Sequence, residues 1–240
     1  MVSVAAVDLT SGRTFEHDAH AVMPAASTIK VLLSAALWTQ VEWGGIDPNR
    51  RLRVASTPAP GGGGLLESMH PETALTLAEL DLLMLAVSDN AATNALIDVV
   101  SMATVNRLAS DLRLTHTRLR RRMMEAAAVA RGDDNTTCAA DMVALLGALA
   151  RAEGIPRGAC RRVLAGLAQS QHTDVIPRHL PPGDRVICCK QGELETVRHD
   201  VALIDEGDRR VALAVLSAPP ADADGLARVA ALAYARVAPN

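Results

Sequence analysis

Residues 2–9 are largely β-branched and alternate, Thr10-Ser11-Gly12-Arg13 interrupts them, and residues 14–17 resume the pattern. A period of two broken by a turn cluster predicts a β-hairpin. Residues 27–43 follow a different rule. Ile29, Val31, Leu32, Leu33, Ala35, Ala36, Leu37 and Trp38 cover every side of a helix. A helix that is apolar all round belongs in the middle of a protein, so Lys30 inside it requires a reason.

Gly44-Gly45 ends that helix, and a proline–glycine stretch at 58–64 reads as a flexible connection. Residues 75–87 predict a helix with Thr76 as N-cap and Glu79 completing a capping box. Residues 91–100 and 103–112 predict two more. Residues 113–137 are polar and irregular, a long loop with a short helix near 123–130; loops of this length inside a compact domain usually carry function. Amphipathic helices follow at 138–151 and 156–168. Strands return at 185–190, 197–204 and 210–216, with Glu206-Gly207-Asp208 as a hairpin turn, and 222–237 closes the chain as a helix. Strands at both ends with helices between them predict an α+β fold: one antiparallel sheet built from the N- and C-terminal strands, packed with helices, beside an all-helical lobe. The 240 residues then form a single domain, with an α/β lobe from about 1–50 and 180–240 and a helical lobe from about 51–179. A catalytic cleft is expected between the lobes.

Composition narrows the function classes. The chain is 49% hydrophobic and 21% charged, with net charge −3, which suits a sizeable core. The one basic run, Arg118 with Arg120-Arg121-Arg122, is too short for a nucleic-acid surface, and only Phe15, Trp38, Trp43 and Tyr234 could stack on bases. The four cysteines form no CxxC; adjacent Cys188 and Cys189 would point to opposite faces of a strand, and all four read as small core residues. The seven histidines are scattered without HExxH. No metal and no cofactor is expected, and the partner is a small-molecule substrate. No apolar run reaches membrane-span length, and residues 1–9 lack the pattern of a signal peptide. The expected location is cytoplasmic, or periplasmic or secreted for a processed form.

Ser27 and Lys30 stand three residues apart at the start of the apolar helix, which puts both side chains on one face. A weak alcohol nucleophile and a possible proton acceptor become neighbours. A lysine desolvated by apolar surroundings has its neutral form favoured and becomes a candidate base. The plain alternative is an N-cap serine and a snorkelling lysine. About sixty residues later, Ser88-Asp89-Asn90 joins two helices. It reads either as a simple turn of good capping residues or as a proton relay through Ser88. Asn90 would then donate to an acyl substituent and to Lys30, and Asp89 would hold the turn.

This pairing, order and spacing resemble the class A β-lactamase and penicillin-binding protein superfamily, whose signature is SxxK, SDN and a Lys-Thr-Gly on a late strand. Lys190-Gln191-Gly192, after the apolar strand, corresponds to the third element. Gly12, Met23-Pro24-Ala25-Ala26, Thr76-Leu77-Ala78-Glu79-Leu80, Ala91-Ala92-Thr93-Asn94, Thr117-Arg118-Leu119 and His199-Asp200 are similar to that family too, so the resemblance spans most of the chain. It implies a Ser27 acyl-enzyme, with Lys30 as proton acceptor and an oxyanion hole from the N–H groups of Ser27 and Glu193. It further implies Lys190 beside Ser88, favouring an anionic substrate, and Arg198 against a substrate carboxylate or simply solvated.

Three departures from the family qualify this. The position of its loop glutamate, which activates the water that frees the acyl-enzyme, falls on Met123; Met124 follows, and Glu125 is a substitute only if the loop is rearranged. Gln191 replaces the usual Thr or Ser, and Glu193 next to it could repel a substrate anion. The family's amphipathic helix before the first strand has no counterpart ahead of residue 2, so the closing helix is expected to lose a packing partner or to meet another subunit. Serine β-lactam hydrolysis is the leading expectation. An amidase or esterase, or a binding or sensor protein that stays acylated, are the alternatives.

Overall fold

The computed structural model describes residues 1–54, 61, 62 and 64–238; most of the expected connection at 58–64 lies outside the described residues. β1 (Val2–Asp8) and β2 (Thr14–His17) form the N-terminal hairpin. Its turn is held by Asp8 Oδ1, which accepts the N–H groups of Thr10 and Ser11 at 2.9 and 3.2 Å. From the other end of the chain come β7 (Val186–Leu194), β8 (Val197–Asp205) and β9 (Arg210–Ser217). β1 pairs with β9, closing one antiparallel sheet in the order β2-β1-β9-β8-β7. The α+β architecture predicted from the terminal strand groups is therefore the observed one.

β7 runs past its expected end at Lys190. Gln191, Gly192 and Glu193 stay paired with Asp200, His199 and Arg198 of β8. Hydropathy loses the strand where polar side chains begin, but the backbone ladder needs no apolar side chain. Lys190-Gln191-Gly192 is thus part of the strand.

Alternation sorts the sheet onto two faces. Val4, Ala6, Val211, Leu213 and Val215 pack with the closing helix α8 (Ala223–Val237). Ala5, Ala212, Ala214 and Leu216 face the larger core, with α1 (Ile29–Glu42) and α6 (Ala139–Arg151). Cys188 and Cys189 fall on opposite faces. All four cysteines are free and buried, and burial pushes the Cys188 and Cys189 thiols up to about 11 and about 12, so they are inert near neutral pH.

Every residue of α1 from Ile29 to Thr39 is buried. Beside it lies α2 (Leu77–Ala86), which opens on the predicted capping box: the Glu79 N–H donates to Thr76 Oγ1 at 3.1 Å and the Thr76 N–H to Glu79 Oε2 at 2.7 Å. The Trp38 indole N–H donates to Asp81 Oδ2 at 2.8 Å between these helices. Burial pushes the Asp81 carboxyl up to about 6, against the lowering effect of the Trp38 bond. An acid raised in the folded state contributes stability that is whole below the unfolded pKa of roughly 4 and is lost as pH rises through about 6. Asp81→Asn keeps an acceptor for Trp38 and places its amide beside Ser34, whose hydroxyl faces the Asp81 carboxyl. Thermal melts should find this variant more stable than the parent at pH 8 by roughly 2–3 kcal/mol, with the gain vanishing near pH 4. An equal difference at both pH values would refute the titration.

The remaining helices are α3 (Asn90–Val100), α4 (Met102–Asp111), α5 (Ala126–Ala130) and α7 (Arg157–Leu167). Two short strand pairs were absent from the hydropathy pattern. β4 (Arg51–Arg53) pairs with β5 (Ala74–Thr76), and β3 (Met23–Pro24) with β6 (Thr136–Thr137).

Candidate active site

The segment entering α1 is fastened on two sides. β3 pairs with β6, and the Ala25 N–H donates to the Asn135 carbonyl at 2.7 Å. His199 on β8 holds it from the sheet. The Ser217 N–H donates to His199 Nδ1 at 3.2 Å, so the proton lies on Nε2, which donates to the Pro24 carbonyl at 2.9 Å. Burial holds this imidazole below its usual range, in keeping with the neutral tautomer. Ala26 then takes φ +46°, a conformation that a residue with a Cβ adopts only under constraint. A single 3₁₀ turn, Ala26–Thr28, delivers half-buried Ser27 at the head of α1.

Gly192 on β7 lies against this turn. A Cβ there would stand 3.1 Å from the backbone nitrogens of both Ser27 and Thr28. Only glycine allows so close an approach without displacing the helix start. The backbone around Gly192 and Glu193 is thereby brought beside the N–H of Ser27.

Lys30 is fully buried, and Nζ points at the Ser88–Asn90 turn. It donates to the Ser88 carbonyl at 2.7 Å, to Ser88 Oγ at 3.1 Å and to Asn90 Oδ1 at 2.9 Å. Ser88 adopts φ +59°, which turns its carbonyl and hydroxyl to the same amine. Burial holds Lys30 well below the usual lysine range, Lys190 adds to this, and Asp89 opposes it. As an ammonium Lys30 has three acceptors; as an amine it can accept from the Ser88 hydroxyl. The set can therefore pass a proton between Lys30 and Ser88. Asp89 holds the turn as expected: it accepts the Ala92 N–H at 2.8 Å and the Leu66 N–H at 2.7 Å.

Asn90 corrects one expectation. Its amide oxygen accepts from Lys30; it does not donate to the amine. Its Nδ2 donates to the carbonyls of Gly61 and Gly62, both at 3.2 Å, so an acyl substituent must compete with these acceptors.

On β7, Lys190 is fully buried and its Nζ donates to the Gln191 carbonyl at 2.8 Å. Burial brings it down to about 8, against the raising effect of Asp200. Gln191 donates through Nε2 to Asp174 Oδ1 at 3.0 Å. Arg198 is half-buried; its guanidinium donates to Glu193 Oε1 at 2.5 Å and to the Ala221 carbonyl at 3.0 Å, and its Nε is buried without a partner among the described residues.

The loop position counted from Thr117-Arg118-Leu119 is occupied by Met123. Met123 is buried, and its backbone is clamped by Asn94 on α3, one turn after Asn90: the Met123 N–H donates to Asn94 Oδ1 at 2.8 Å and its carbonyl accepts from Nδ2 at 3.3 Å. Met124 takes φ +61° and lies with Asn90 against Gly62. Glu125 is half-buried and accepts the Arg122 N–H at 3.2 Å; no hydrogen bond among the described residues joins it to the Lys30–Ser88–Asn90 set. Asn94 entered the sequence reading only as part of the resemblance, without its contact to Met123, and His172 was missed. His172, lowered by burial and by Lys190, lies in a loop with no pattern to mark it.

Among the described residues, no group of His, Cys, Asp and Glu is placed to hold a metal ion, and no helix is long and apolar enough to cross a membrane.

Comparison with known proteins agrees with this fold. The sequence matches the beta-lactamase enzyme family over residues 1–237. No curated protein sequence matches it at a significant level. Among solved structures, a beta-lactamase from Sphaerobacter thermophilus is 27% identical, with a TM-score of 0.89 over 99% of this chain and 91% of that one. A double mutant of the class A beta-lactamase of the last common ancestor of Gram-negative bacteria is 27% identical, with a TM-score of 0.88 over 98% and 93%. A mutant of PBP-A, solved as an acyl-enzyme complex with penicillin G, is 24% identical with a TM-score of 0.87 over 98% and 89%, a likeness of fold.

Proposed function

The chain belongs to the beta-lactamase enzyme family, and we propose that it is a serine acyl hydrolase of class A type that opens β-lactam rings through a Ser27 acyl-enzyme. The observation that carries this reading is the buried Lys30 amine, bonded to Ser88 and Asn90 one helical turn from Ser27. Neutral Lys30 takes the Ser27 hydroxyl proton, directly or through water, as Oγ attacks the carbonyl. The developing oxyanion meets the N–H groups of Ser27 and Glu193, beside which Gly192 makes its close approach. The ring C–N bond breaks as Ser88 Oγ gives its proton to the leaving nitrogen, and Lys30 returns one to Ser88 across their 3.1 Å hydrogen bond. Lys190 keeps a positive potential near this relay and favours the neutral form of Lys30.

The acyl ester must then be cleaved by water. Met123 supplies no base, and Glu125 is engaged with Arg122. This favours a second reading, in which acylation is fast and release slow, as in a binding or sensor protein. Losing a general base costs roughly 10²–10⁴-fold in rate. Mixed with a chromogenic cephalosporin, the protein should give a colour burst equal to its own concentration, then a much slower steady rate. Rapid turnover without a burst would refute the slow-release reading; neither burst nor turnover would count against β-lactam opening.

A further inference from the structure

We infer that the preferred substrate is an uncharged amide or ester, with no carboxylate on the leaving-group side of the scissile bond. This rests on the Ser27 acylation proposed above and concerns only what the site accepts. An anionic group there would lie along the edge of β7, past Gly192, and would need a free donor. The two side-chain donors of that edge are engaged by carboxylates of the chain itself, and the one Arg198 N–H left over, on Nε, is buried. The Arg198 guanidinium is paired with Glu193 and anchored on the Ala221 carbonyl. The Gln191 amide is given to Asp174.

The charge balance points the same way. Glu193 and Asp174 are both exposed, and each places a negative charge at this edge. The opposing lysines are buried, and Lys190 is brought down to about 8 by that burial, so part of its charge is lost at mildly alkaline pH. An entering anion must displace Glu193 from Arg198 and then remain beside it. An uncharged group meets neither cost. Two unit charges about 6 Å apart near a protein surface interact strongly enough to change a rate by about a hundredfold at low screening, and by about tenfold once solvent and salt weaken the interaction.

The test compares benzylpenicillin with its methyl ester, which differ only in the masked carboxylate. Acylation of the full chain is followed by intact mass. The ester should acylate at least about tenfold faster than the free acid. Glu193→Gln, and separately Asp174→Asn, which keeps an acceptor for Gln191, should each raise the acid-to-ester rate ratio by about tenfold. That gain should shrink in high salt as the charges are screened. If the acid reacts as fast as the ester, or if neither variant moves the ratio, the inference fails while Ser27 acylation stands. If neither compound forms an adduct, the acylation reading fails and the inference falls with it.

Discussion

A Lys30→Met variant is expected to acylate roughly 10²–10⁴-fold more slowly than the parent while keeping its fold. Methionine fills much of the same volume, and the neighbours of Lys30 along α1 are apolar and buried. The cost to stability is local. The Ser88 carbonyl and Asn90 Oδ1 lose the donor they share, each a loss of roughly 1–3 kcal/mol, so a melt must accompany the kinetics. The chemical loss is larger, because no other amine is bonded to the Ser88–Asn90 turn among the described residues. The pH profile separates this role from packing. In the parent, acylation falls as pH drops through the lowered pKa of Lys30, since the ammonium cannot accept the Ser27 proton. The variant should lose that limb. A folded variant that acylates at the parental rate, or keeps the limb, would remove Lys30 as the base.

Met123→Glu should act on the other half of the cycle and shorten the lifetime of the acyl-enzyme by roughly 10²-fold. The backbone of residue 123 is already fixed by both ends of the Asn94 amide, one turn along α3 from Asn90, so the new carboxylate starts from a clamped position. Its burial has a cost, because Met123 is only 7% exposed and a buried carboxylate needs a partner. The readout is the steady rate after the burst, divided by burst amplitude. A folded variant whose adduct persists as long as the parent's would show that release is limited elsewhere, for instance by the Gly61 and Gly62 carbonyls on Asn90.

The elements that sequence reading anticipated are those with local causes. The Thr10–Arg13 turn, the Thr76–Glu79 capping box and the all-apolar α1 each follow from residues a few positions apart. The closure of the sheet through β1 and β9 was legible because both strand groups alternate and each needs a partner. The contact of Lys30 with Ser88 and Asn90 was legible as well, since these residues sit in two short motifs. What escaped depends on register across the fold. That β7 continues to Leu194 depends on β8, and only that pairing puts Glu193 opposite Arg198. The Gln191–Asp174 bond joins a strand to a loop without any periodic signal. Asn90 was assigned the wrong sense because a motif names a residue and not which end of its amide meets the lysine.

The central claim is that Ser27 becomes acylated, and intact mass with peptide mapping tests it most directly. After incubation with benzylpenicillin methyl ester, the parent should gain one acyl mass, mapped to the peptide that holds Ser27, and Ser27→Ala should gain none. An adduct on another residue, an adduct that survives in Ser27→Ala, or none on a folded parent would contradict the account.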